Sequence, residues 1–279
     1  EAPEMKIRRI PLSAWIGLVG LAVFFGMAIL APVVAPYGEA ELVGGVWEPS
    51  SAQFWLGTDN LGRDLFSRLV YGARMTIFVA AAATILSFGM GILLGFTAAV
   101  MRGWTDQALS RGNDLLMAIP TLIFALVVLS VLPSNLVTLI LVMAVLDSTR
   151  VFRIGRAVAV DISVQDFVEA AKVRGEKKLW IIFHEILPNA LSPLIAEFGL
   201  RFAFAVLFLS ALSFLGLGIQ PPAADWGGMV KENKDGIVFG VPAALIPGAA
   251  IAALAVSVNL VVDWILNRTS DLRGGRGNV

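Results

Sequence analysis

Few residues in this chain have the type and spacing that chemistry needs. One histidine, His184, and no cysteine leave no thiol nucleophile, no disulfide and no His- or Cys-based structural metal site, since these need several N or S ligands together. No G-x-x-x-x-G-K-[ST] phosphate loop occurs in the sequence, so ATP is not held here by that chemistry. An intramembrane enzyme would need a nucleophile with its base, or paired aspartates, at bilayer depth. Ser87, Ser210 and Ser213 have no such company and, like Gly89, Gly91 and Gly95, suit close helix packing. The expectation is no catalytic residue, no metal and no cofactor. Three charges fall in or near apolar sequence: Glu197, Arg201 and Asp263. Ionisable groups at membrane depth are costly and usually paired. Glu197 and Arg201 stand four apart in the favourable order for a helical ion pair, so a structural pair is expected. Asp263 lies near Asn267 and Arg268 at the end of the last apolar run and reads as a snorkelling or interface residue.

The elements that must position these groups are membrane helices. The chain is 57% hydrophobic and 15% charged, with a mean hydropathy of +0.81, whereas soluble domains lie near ~45–50% apolar and ~25% charged. Its 21 Lys and Arg balance 21 Asp and Glu, so no net field points to nucleic acid. Apolar runs cover 11–38, 75–101, 115–146, 198–224, where Arg201 is the one charge, and 237–262. The third is too long for one crossing of a ~30 Å core, and Pro133-Ser134-Asn135 divides it with turn-forming residues. An all-α transmembrane domain over 11–267 follows, with six spans at about 12–34, 75–101, 111–132, 135–151, 190–218 and 241–266. The first apolar run exceeds a signal-peptide core and is read as a retained helix. Fifteen of the 21 Lys and Arg residues fall in 1–10, the 102–114 and 147–189 loops and the 268–279 tail, which puts both termini in the cytoplasm.

The 161–188 stretch has soluble character and helical periodicity. Ser163 and Asp166 have capping-box spacing, and Phe167, Ala170, Ala171 and Arg174 recur at helical intervals until Gly175. A second amphipathic segment places Leu179, Ile182, Phe183 and Ile186 on one face, with Pro188 as its boundary. Such an element suits a partner's groove.

Glu169-Ala170-Ala171, Gly175 and Ile186-Leu187-Pro188 resemble the EAA loop of ABC-importer permeases. The likeness extends over Trp55 to Arg74 (WLGTDNLGRDLFSRLVYGAR), Arg102-Gly103-Trp104-Thr105-Asp106, Asp114 with Ile119-Pro120, and Leu212 to Pro222 followed by Asp225-Trp226-Gly227. These blocks, in this order, are similar to the dipeptide/oligopeptide/nickel family, in particular the second permease of the pair, which carries G-T-D-x-x-G-R-D. Phe54-Trp55 departs from the polar residue expected there and bears on substrate. The resemblance implies a type I importer permease fold in a bacterial inner membrane. It also implies partners: a second permease, two ATPases that bind ATP and Mg, an extracytoplasmic binding protein, and membrane lipid. The 153–189 loop, through Glu169, Ala170, Ala171, Gly175, Ile186, Leu187 and Pro188, would couple the spans to the ATPases. Asp225, Trp226 and Gly227 would be a docking point for the binding protein, while Gly57 to Arg74 reads as a salt-bridged elbow that orients the second span. Peptides or related small solutes are the expected cargo. A secondary transporter is disfavoured because no inverted repeat is detectable.

Overall fold

In the computed structural model residues 10–274 are described, with side chains to Arg268. Of the expected N-terminal segment 1–10 only residue 10 is described, and of the expected tail 268–279 residues 268–274 continue the last helix while 275–279 lie outside the described residues. Ten α-helices and no strand occur among those described: α1 Leu12–Val34, α2 Leu65–Met101, α3 Gly103–Met117, α4 Thr121–Val131, α5 Leu136–Ser163, α6 Asp166–Val173, α7 Lys178–Ile181, α8 Leu187–Leu215, α9 Trp226–Asn233 and α10 Leu245–Gly274.

Four stretches are each long and apolar enough to cross a bilayer: Leu12–Val34, Leu65–Met101, Lys178–Leu215 and Pro242–Arg268. The expected span over 111–132 is instead a broken pair, α3 and α4, bent by 83°. Pro120 explains the break, because it cannot donate to the preceding turn and disfavours helix in the residue before it. Its own backbone is non-helical, with φ −54 and ψ 120. The span expected over 75–101 begins earlier, at Leu65, where the Asp64 carboxylate caps α2 by accepting from the Ser67 backbone N–H at 2.8 Å.

α5 carries too much charge to read as a span by composition, yet its 28 residues make about 42 Å of helix, enough for the hydrocarbon core. It runs parallel to α2 in continuous contact. A Cβ on Gly91 would fall 2.6 Å from Val151 Cβ, and one on Gly95 would fall 2.7 Å from the Phe152 carbonyl. Only glycine lets the two backbones approach this closely. The helix also continues past the expected end at 151, because Val151, Phe152, Gly155 and Ala159 keep a buried face at helical spacing after charged residues have ended the apolar run. The loop that follows therefore opens at 164, not 153.

α1 packs antiparallel to α10, with Gly17 against Ser257, Leu260 and Val261 and Gly20 against Ser257. α8 and α10 meet at Gly199 and Val262. This alternation brings the start of α1, the end of α10 and α6 to one end of the bundle, while α9 and the 35–64 elbow occupy the other. The larger core joins α2, α5, α8, α9 and α10. A second joins the ends of α2 and α5 to α6, α7 and the start of α8.

Candidate coupling surface and interior charge cluster

The segment after α5 is built as a short stem with an abrupt stop. α6 ends at Val173 with Arg174 as its C-cap, and Gly175 follows with φ +82. The Gly175 N–H donates to the Lys172 carbonyl at 3.0 Å and the Glu176 N–H to the Ala171 carbonyl at 3.2 Å. This is the Schellman pattern, in which a left-handed residue satisfies the last helical carbonyls. Glycine adopts that conformation without the Cβ penalty of other residues. The capping box is not formed. Ser163 is the last residue of α5 and its hydroxyl donates to the Val160 carbonyl at 2.9 Å, so the start of α6 has Gln165 as N-cap without a side-chain bond.

α6 divides into two faces. Val168 and Ala171 are fully buried and belong to the core with Val151, Ala159, Ile181, Ile182 and Ile186. Phe167, Glu169, Ala170 and Val173 are exposed, Val173 to 88%. Lys172 Nζ donates to the Ser163 carbonyl at 3.0 Å, and Arg174 reaches Glu185 at 3.5 Å, so both ends of α6 are tied to its neighbours. Of the expected coupling residues, Glu169, Ala170 and Gly175 lie on the outer surface, Ala171 and Ile186 anchor the segment from beneath, and Leu187 is half-buried.

Pro188 does not end a helix. Residues 182–186 form one π-helical turn that joins α7 to α8, and the Leu187 N–H donates to the Ile182 carbonyl five residues back. A wider turn accommodates the missing N–H and the ring of Pro188, which a regular α-turn would set against the preceding carbonyl. His184 stacks on Trp180 with ring centroids 4.7 Å apart, and its Nδ1 lies 3.1 Å from the Trp180 carbonyl. This histidine is part of the turn. The expected apolar face is also revised: Ile181, Ile182 and Ile186 are buried, whereas Leu179 and Phe183 are more than half exposed.

At mid-bundle the expected ion pair is present, with Arg201 Nε donating to Glu197 Oε1 at 2.5 Å. Sequence reasoning missed its second acid. Asp147 of α5 lies 3.6 Å from Arg201 Nη1 and accepts from the Ser87 hydroxyl of α2 at 3.2 Å. The signal was available: an acid followed three residues later by Arg150 in an otherwise apolar stretch. Arg201 also lies over the Phe204 ring at 5.1 Å.

The other end of the bundle corrects a further expectation. Asp225, Trp226 and Gly227 are buried, so they present no docking surface. Trp226 is inaccessible; its Nε1 donates to the Leu69 carbonyl at 3.0 Å and its ring meets Phe24 edge-on at 5.6 Å. Asp225 caps α9 by accepting from the Gly228 N–H at 3.1 Å. A side chain on Gly227 would run into the Ser210 carbonyl. Burial of the Asp225 carboxyl pushes its pKa up to about 6, with Glu232 repulsion in the same direction, against hydrogen bonds from Gly228, Ser213 and Gly227. The elbow is salt-bridged: Arg63 contacts Asp59 at 2.6 Å and Glu232 at 2.7 Å, and Arg68 contacts the same two acids at 3.3 and 2.8 Å. Glu232 is the partner the sequence did not reveal. It clamps the elbow to α9, helped by Asn233, whose Oδ1 accepts from Trp47 Nε1 at 3.2 Å and from the Asn60 N–H at 3.0 Å.

The comparisons with known proteins agree with this architecture. Residues 91–271 match the family described as binding-protein-dependent transport system inner membrane component. The dipeptide transport system permease protein DppC of Alkalihalophilus pseudofirmus is 34% identical over 90% of this chain and 83% of its own length. The di/tripeptide transport system permease protein DppC of Pseudomonas aeruginosa is 34% identical over 89% and 84%, and the oligopeptide transport system permease protein OppC of Bacillus subtilis 31% over 90% and 83%. This chain belongs to the binding-protein-dependent transport system inner membrane component family. It is a multi-pass, all-α permease subunit of an ATP-driven ABC importer.

Proposed function

We propose that this chain forms one half of the pathway through which an ABC importer moves di- and oligopeptides, with α6 as the lever on which the ATPases act. The observation that carries the lever is the two-faced α6: one face open through Phe167, Glu169, Ala170 and Val173, the other fixed into the core that joins α2, α5 and α8. A push on the open face is transmitted to the crossing helices because close-packed interiors move as units. Cargo follows from the relatives, which are named for dipeptide, di/tripeptide and oligopeptide transport. The complete assembly has a second, homologous permease, two ATPases that bind ATP and Mg, and an extracytoplasmic binding protein. The Lys and Arg bias supports a cytoplasmic location for α6 and for both termini.

Co-expression with the neighbouring genes tests this reading. Two ATPase subunits and a second permease are expected to co-purify, and a Glu169→Arg, Gly175→Trp double variant is expected to lose the ATPases. Peptide uptake by the chain alone, without ATP, would replace the importer reading with a secondary transporter.

A further inference from the structure

A cavity of about 390 Å³ opens among α2, α4, α5 and α8, lined in part by Leu122, Met143, Asp147, Arg150, Phe204 and Phe208. Its volume falls in the ~300–1,000 Å³ range of small-molecule sites. Most of the lining is apolar, with Thr84 and Thr121 among the exceptions, and the two charged residues stand one helical turn apart on α5. Both fall near the middle of that helix, where unpaired charge facing lipid would be expensive.

The charges around the cavity are not all bonded to one another. Asp147 and Glu197 share Arg201 at ion-pair distance; it bonds Glu197 at 2.5 Å and lies farther from Asp147, at 3.6 Å. Arg150 acts on Asp147 electrostatically as well, without an ion pair between the two. Arg150 is exposed, and its guanidinium has no hydrogen bond or ion pair among the described residues. The cavity thus carries an acid and a cation that form no ion pair with each other, flanked by Phe204, Phe208, Leu122 and Met143. A ligand with an ammonium at one end, a carboxylate at the other and apolar groups between them complements all three features.

We propose that this cavity is a peptide-binding station within the membrane, with Asp147 receiving the free α-ammonium group and Arg150 the α-carboxylate of a zwitterionic dipeptide. The proposal rests on the reading of this chain as a peptide permease. Ser87 and Arg201 are positioning residues that hold the Asp147 carboxylate, and the apolar walls accept side chains without selecting among them. Recognition of the two termini, and not of side chains, would let one pathway pass many sequences.

The chain contains no cysteine, so Leu207→Cys places a single reporter thiol in the cavity wall. Maleimide labelling of this thiol would be followed in the assembled importer in nanodiscs, without ATP or binding protein, with L-alanyl-L-alanine at millimolar concentration. The dipeptide is expected to slow labelling several-fold, while N-acetyl-dialanine and dialanine amide protect about tenfold less well, since each lacks one charge-assisted contact. Asp147→Asn and Arg150→Gln, made separately and checked for assembly by co-purification, are each expected to abolish protection by the free dipeptide. Equal protection by all three probes, or protection that survives both substitutions, overturns the site. Dipeptide uptake by the wild-type importer is measured in parallel. Uptake without protection removes this station alone, whereas no uptake of any peptide removes the peptide reading and the station with it.

Discussion

Asp106 in the first turn of α3 and Arg156 on α5 meet with two parallel bonds, Nε to Oδ1 and Nη2 to Oδ2, both 2.6 Å. This fork-to-fork geometry fixes direction as well as distance. It ties the start of α3 to the part of α5 that leads into α6. Lysine cannot reproduce the fork. Arg156→Lys is expected to cost about 1 kcal/mol, a modest value because the pair is partly exposed, read as a lower thermal midpoint in detergent. Exchanging the two residues, Asp106→Arg with Arg156→Asp, is expected to recover part of the loss.

Trp226 tests the corrected reading of the α9 end. A docking residue would tolerate truncation and lose only the response to the binding protein. A fully buried Trp bonded to the Leu69 carbonyl predicts instead that Trp226→Ala destabilises the subunit by about 3–5 kcal/mol. Folded yield in the membrane and thermal unfolding separate the two outcomes.

Much of the architecture was legible because lipid imposes length and apolarity on any crossing helix. The run over 12–34 matches α1, and the turn at Pro133-Ser134-Asn135 falls between α4 and α5. What composition could not reveal were features set by contacts between distant segments. α5 continues through Arg153 and Arg156 because its opposite face stays buried. Asp147 and Glu232 become important only when helices far apart in sequence bring Arg201, Arg63 and Arg68 to them. The Asp225-Trp226-Gly227 block looked exposed because it follows Pro221-Pro222 in a polar loop, yet long-range packing against Thr76, Leu69 and Phe24 buries it. The EAA-like stretch was legible because local spacing alone defines its helix and glycine stop.

Asp225 makes stability depend on pH. Its carboxyl has a pKa of about 6 in the fold against an ordinary 3.8, so the native state holds the proton more tightly than the unfolded chain. The contribution is most favourable below pH ~4 and is lost as pH rises toward ~6, because the folded state must then bury the charge. Asp225→Asn keeps a good N-cap residue and removes the titration. Relative to this variant, the wild-type thermal midpoint is expected to fall between pH 4 and 6 and to stay lower at pH 7.5. Parallel curves for the two proteins would assign the burial no titrating role.

Gly175 allows strain to be separated from crowding. A Cβ there would meet nothing within 4 Å, while φ is +82. Substitution is therefore opposed by backbone conformation alone. Gly175→Asn, which tolerates the left-handed region, is expected to retain most ATPase coupling, while Gly175→Val is expected to lose about 1–2 kcal/mol locally and with it much of the coupled ATPase activity. Equal behaviour of the two variants would show that the left-handed stop is not what positions α6.

Arg201 has two acids, and their redundancy predicts non-additive losses. In Glu197→Gln, Arg201 keeps Asp147; in Asp147→Asn, it keeps Glu197 at 2.5 Å. Each single variant leaves the cation paired and is expected to cost about 1 kcal/mol or less, since the remaining acid can close on it. Removing both leaves Arg201, a residue only 9% exposed, without either acid, at about 3–5 kcal/mol. A double-mutant cycle on thermal unfolding is therefore expected to show a loss well above the sum of the single effects, as coupled sites do. Simple additivity would mean that Arg201 is neutralised by a group other than these two acids.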